Sequence, residues 1–104
     1  MDNNFVDRIG CVYGEMLALL EAKNSSYGSS ALKGEGIMPL IGNQVRLCDK
    51  TRRYEHMMLE TIKNGGKIPE YFGESIEDTL KDILGYATLG LLIVEDLKEK
   101  GEIT

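Results

Sequence analysis

Arg46, Asp49, Lys50 and Arg53 recur at i, i+3, i+4 and i+7, the spacing that puts side chains on one face of an α-helix. Three cations with a carboxylate among them can hold a phosphate while the acid orients a neighbouring guanidinium. The same pattern also describes a solvated face laced with ion pairs, each worth roughly a few tenths of a kcal/mol. A second run, Glu74, Glu77, Asp78 and Asp82, shares a face farther along the chain. Clustered carboxylates suit magnesium, which takes oxygen ligands and bridges to substrate phosphates; Glu77, Asp78 and Asp82 are the metal candidates. Acids are equally expected in the first turn of a helix, where the dipole favours them. They can also pair with the basic stripe, so the relative placement of the two stripes decides what either can do.

Other reactive side chains are sparse. His56, the single histidine, has no neighbour in sequence that would make it a base. Cys11 and Cys48 lie inside helical apolar patterns and read as buried thiols in a reducing cytoplasm. One histidine and two cysteines do not make a zinc set. No glycine-rich phosphate loop, nucleophile elbow or dinucleotide fingerprint occurs in the sequence.

The elements that position these residues follow from hydrophobic spacing. Phe5, Ile9, Val12, Tyr13, Met16 and Leu20 predict an amphipathic helix over Asn3 to Lys23, capped by Asp2 or Asn3. Asn24 to Ser30 and Lys33 to Gly36 read as loop, with turns at Gly28 and at Gly34 to Gly36. A second helix is predicted over Pro39 to Asn64, with an apolar stripe of Leu40, Leu47, Tyr54, Met58 and Ile62 and a Gly65–Gly66 stop. Ser75 with an acid three residues on predicts the start of a third helix, ending near Lys100. Its stripe is Ile76, Leu80, Ile83, Leu84, Ala87, Leu91 and Val94. Leu89, Leu92, Ile93 and Leu97 fall off that stripe, an excess that argues for self-association through this helix. The fold class is therefore all-α, a small bundle of three main helices in one domain spanning residues 1–104, expected to be oligomeric.

Composition narrows the partners. The 104 residues carry a formal net charge of −5, against the basic balance of a general nucleic-acid binder. The apolar run from Leu89 to Val94 is too short to span a bilayer, and the N-terminus has neither the basic region nor the apolar core of a signal peptide. A cytoplasmic protein is expected.

Three segments carry a family resemblance: Lys23-Asn24-Ser-Ser-Tyr27-Gly28, then Arg46-Leu-Cys-Asp49-Lys50-Thr-Arg-Arg53, then Glu74-Ser-Ile-Glu-Asp78-Thr-Leu-Lys-Asp82-Ile-Leu-Gly-Tyr86-Ala87. In this order they resemble the nucleotide modification associated domain, type one, a helical family common in bacteriophages, over roughly Leu20 to Leu92. The resemblance implies a link to phage nucleotide metabolism or DNA modification. It places the ligand site at Lys23, Asn24, Tyr27, Gly28, Arg46, Asp49, Lys50 and Arg53, with Tyr27 stacking on a base and the cations on phosphates. The chain is also loosely similar to all-α nucleoside triphosphate pyrophosphohydrolases of the MazG kind, which hold magnesium on paired carboxylates of two helices. Here Arg and Lys stand where the first pair would be, which favours binding without turnover. The reading that follows is a phage-type nucleotide-binding protein that sequesters a host cyclic-nucleotide immune signal. Its alternatives are a magnesium-dependent nucleotide pyrophosphohydrolase and an accessory subunit of a DNA-modifying enzyme.

Overall fold

The last helix begins where local chemistry dictates. The Ser75 hydroxyl accepts a hydrogen bond from the Asp78 N–H at 3.1 Å, and the Asp78 carboxylate accepts one from the Ser75 N–H at 3.3 Å. This reciprocal cap opens α3, Ile76–Glu99. The preceding helix, α2 (Met38–Lys63), has Pro39 in its first turn, where no N–H is needed. It ends through Gly65 and Gly66, whose φ of 69° and 98° are left-handed, and the Gly66 N–H donates back to the Thr61 carbonyl at 2.9 Å. The first helix, α1, is Asn3–Tyr27.

The computed structural model describes residues 3–27 and 34–104. Among them there is no strand, only an isolated antiparallel bridge between Tyr71 and Glu74, so the fold is all-α with three helices. The chain divides into two compact units, residues 1–30 and 31–104. No helix of the described residues is long and apolar enough to cross a membrane.

In the first unit α1 runs four residues beyond the predicted end at Lys23, because Asn and Ser are only mildly unfavourable in a helix and the next glycine after Lys23 comes only at Gly28. Of its apolar stripe Met16 is buried, while Phe5, Ile9, Val12 and Tyr13 are exposed. Cys11 is exposed as well, contrary to the expected buried thiol. Five residues separate it from Met16, which sets it about 140° around the helix. The Asp2 cap and the Gly28 turn lie outside the described residues.

In the second unit α2 and α3 pack antiparallel along a seam. From α2 it takes Asn43, Lys50 and Met57 at seven-residue intervals; from α3 it takes Thr79, Asp82, Gly90, Ile93 and Leu97. Met57 and Thr79 are fully enclosed. Asn43 Nδ2 donates to the Tyr86 carbonyl at 2.9 Å, and a Cβ on Gly90 would fall 2.8 Å from Asn43 Oδ1, so the helices close up there only because Gly90 has no side chain.

This inward face is rotated from the one apolar spacing predicts. Tyr54 and Ile62 of the α2 stripe, and Leu80, Ala87 and Leu91 of the α3 stripe, are exposed, whereas Ile93 and Leu97, off the predicted stripe, form the core. The physical cause is polar pairing: Asn43 and Lys50 find partners across the seam, and partnered polar groups can occupy an interface that an apolar count assigns elsewhere. Cys48 is half-buried rather than enclosed, because it lies beside the line that meets α3.

Candidate functional site

The basic stripe of α2 and the acidic start of α3 face each other. Lys50 Nζ lies 2.7 Å from Glu74 Oε1 and 2.9 Å from Asp82 Oδ2. Arg53 Nη1 donates to Glu74 Oε2 at 3.3 Å. Its Nε is 3.2 Å from Asp49 Oδ2 one turn back, an ion pair whose N–H points aside, so that this buried nitrogen makes no hydrogen bond. The Thr79 hydroxyl donates to Glu74 Oε2 at 3.0 Å. Glu74 thus receives three side-chain donors, and with 15% of its side chain exposed it is the hub of the network.

The electrostatics follow from this geometry. Burial pulls the Lys50 ammonium down, yet hydrogen bonds to Glu74 and Asp82 and the charge of both carboxylates outweigh it, so the group stays protonated above the ordinary lysine value. Arg53 is raised in the same way: desolvation opposes its charge, and Asp49 and Glu74 more than offset it. Two cations, Lys50 and Arg53, meet three carboxylates, Glu74, Asp82 and Asp49, in the network. Arg46 is exposed, and among the described residues it has no ion-pair partner. Seven residues along one helical face place Arg46 and Arg53 about 10 Å apart along the axis.

The loop before α3 supplies the remaining pieces. Tyr71 and Glu74 exchange two backbone hydrogen bonds of 3.0 Å across a two-residue turn of Phe72 and Gly73, whose φ are 52° and 76°. Positive φ at both central residues is the requirement of a type I′ turn. Glu74 is therefore held by its own backbone as well as by its side-chain partners. The Tyr71 ring lies 4.7 Å from His56 and 4.5 Å from Phe72, centroid to centroid, and the Arg53 guanidinium carbon is 5.8 Å from the Tyr71 centroid.

The expected site residues fare unequally. Arg46, Asp49, Lys50 and Arg53 share a face as expected, but Lys50 is committed to Glu74 and Asp82. Arg53 keeps Nη2 without a partner among the described residues, on a side chain that is 29% exposed. Lys23 is exposed on α1, in the other unit. Gly28 and the side chains of Asn24 and Tyr27 lie outside the described residues. Glu77, Asp78 and Asp82 are not gathered into a metal set: Asp78 caps α3, Asp82 pairs with Lys50, and Glu77 is exposed. Among the described residues no group of three or more His, Cys, Asp or Glu could hold a metal. Sequence spacing missed the central role of Glu74 and Thr79. The Ser75 capping signal could have shown that Glu74 sits just outside α3 rather than on its acidic face. Comparison with family models, with curated proteins and with solved structures returns no match to this chain.

Proposed function

We propose that the chain binds a phosphorylated nucleotide without turning it over, and that the ligand carries two separated phosphates, as a cyclic oligonucleotide does. The observation that carries this reading is the line from Arg46 to Arg53. Both arginines sit on one face of α2 about 10 Å apart along its axis, and Arg46 Nη1 lies back beside Gly42 while Arg53 Nη1 reaches Glu74, so each guanidinium would meet a different phosphate. Asp49 and Glu74 hold Arg53 in place, which lowers the entropy cost of presenting its outer nitrogen to a ligand. Lys50 is a strut in this arrangement. Its bonds to Glu74 and Asp82 fix the helix that carries the arginines.

Binding is favoured over hydrolysis by the state of the carboxylates. Glu74 and Asp82 are neutralised by Lys50 and Arg53, and Asp78 is spent on the helix cap, so a magnesium ion would have to break these contacts before it reached two of them. A protein that binds and does not release such a nucleotide would sequester it. In a phage-infected host cytoplasm that would remove a cyclic-nucleotide immune signal. Self-association belongs to the same proposal: Leu91 and Leu92 stand 73% and 43% exposed on α3, apolar area that a second copy can cover.

The test is incubation with a panel of linear and cyclic nucleotides, with and without magnesium, followed by filtration, denaturation and chromatography of what the protein retained. Intact cyclic nucleotide is expected, and Arg46→Glu should abolish its retention while leaving the circular dichroism spectrum unchanged. Converted nucleotide, or equal retention by Arg46→Glu, overturns the reading.

A further inference from the structure

Phe72 is the most exposed large apolar side chain among the described residues, at 86%. It is also their one non-glycine residue with positive φ, at 52°. Each observation runs against what a plain turn would choose. The first central position of a type I′ turn favours Asn, Asp or Gly, which tolerate the left-handed region; a bulky ring there is a strained choice. An exposed phenyl ring recovers none of that cost by burial. Strain retained at one residue, with its side chain held in solvent, is the signature of a group kept for contact with something else.

The turn is built to hold the ring still. Two backbone hydrogen bonds of 3.0 Å close it, and the Tyr71 ring meets Phe72 edge-to-face at 4.5 Å, 63° from parallel. Tyr71 is in turn flanked by His56 and by the Arg53 guanidinium. The phenyl face is thus presented from the loop that anchors Glu74, the carboxylate that orients Arg53. An aromatic face separated from an arginine by one ring, here Tyr71, suits a nucleotide, whose base stacks and whose phosphate lies a sugar away.

We infer that Phe72 is a stacking platform for the base of the bound nucleotide, with Arg53 on the phosphate side of the same ligand. The inference rests on the nucleotide-binding reading and assigns the base to the Tyr71–Glu74 turn, in the same unit as the arginines.

The experiment pairs Phe72→Asn with the unaltered protein. Asn suits the turn, so the variant should melt at a higher temperature than the parent. Cyclic diadenylate, cyclic diguanylate and ATP are the base-bearing probes, and inorganic pyrophosphate is the probe without a base. The variant should bind the best nucleotide roughly 10-fold more weakly, the loss of about one stacking contact. Pyrophosphate should bind both proteins alike. In the parent, the Phe72 ring protons should shift on adding nucleotide and stay put on adding pyrophosphate. If the variant melts higher yet binds nucleotide as tightly, or the Phe72 signals do not move, the platform is overturned while nucleotide binding stands. A lower melting temperature overturns the strain argument. If the parent binds none of the nucleotides, the nucleotide-binding reading fails and takes the platform with it.

Discussion

Replacing Lys50 by methionine keeps most of the side-chain volume and removes one charge from the middle of the seam. The ammonium lies 2.7 Å from Glu74 and 2.9 Å from Asp82, and the three side chains are 14%, 15% and 20% exposed. Because both carboxylate oxygens touch one nitrogen, they are no farther apart than about 5.6 Å. At an effective dielectric of about 20, two unit charges at that separation repel by roughly 3 kcal/mol. Arg53 and Thr79 still serve Glu74, and water reaches the partly open site, so the net loss near neutral pH should be about 2 kcal/mol. That lies below the roughly 3 to 5 kcal/mol of a fully buried pair broken on one side. Alkali probes the lysine itself. The folded Lys50 lies above its unfolded value of about 10.4, so its stabilisation is complete below that pH and is lost as pH rises through the folded value. The parent should therefore weaken more steeply than Lys50→Met in that window. The assay is urea unfolding at fixed protein concentration, followed by far-ultraviolet circular dichroism. A variant as stable as the parent at neutral pH, or a parent that loses no more stability in alkali than Lys50→Met, would refute the reasoning.

Two further substitutions probe the parts that hold the seam together. Gly90→Ala gains about 1 kcal/mol of helix propensity but drives a methyl toward Asn43 Oδ1 and costs the buried Asn43–Tyr86 hydrogen bond, about 1 to 3 kcal/mol. Calorimetry should give a net loss of about 1 kcal/mol, and the same change in an Asn43→Ala background should stabilise instead; equal effects in both backgrounds would remove the proposed clash. Ser75→Ala should cost about 1 kcal/mol by deleting the N-cap, and amide exchange should quicken first in the opening turn of α3.

The helices were legible because their signals are local. Ser75 with Asp78, Pro39, and the Gly65–Gly66 pair mark boundaries through capping and backbone geometry that need no distant partner. The face each helix turns inward was not. Apolar counting pointed α2 toward Tyr54 and Ile62 and α3 toward Leu80 and Leu91, while the structure turns Lys50 and Thr79 inward. A lysine enters such a seam only when carboxylates from the other helix meet it, and that pairing joins residues 24 and 32 positions apart. The candidate site divides the same way. Spacing identified the cations of α2, but Glu74 emerges only with the turn that positions it, and Phe72 only with its backbone angle.

The polar positions of the seam also act as a register key. Asn43, Lys50 and Met57 repeat every seven residues, so an apolar version of this pair could slide by one heptad at little cost. Here a slide toward the C-terminal end of α3 would set Lys50 among Leu89, Gly90 and Ile93, with no carboxylate in reach, and would strip Glu74 and Asp82 of their cation. The slid arrangement strands three charges at once. One lysine with two acids therefore opposes this slide and holds α2, with its arginines, at one level along α3.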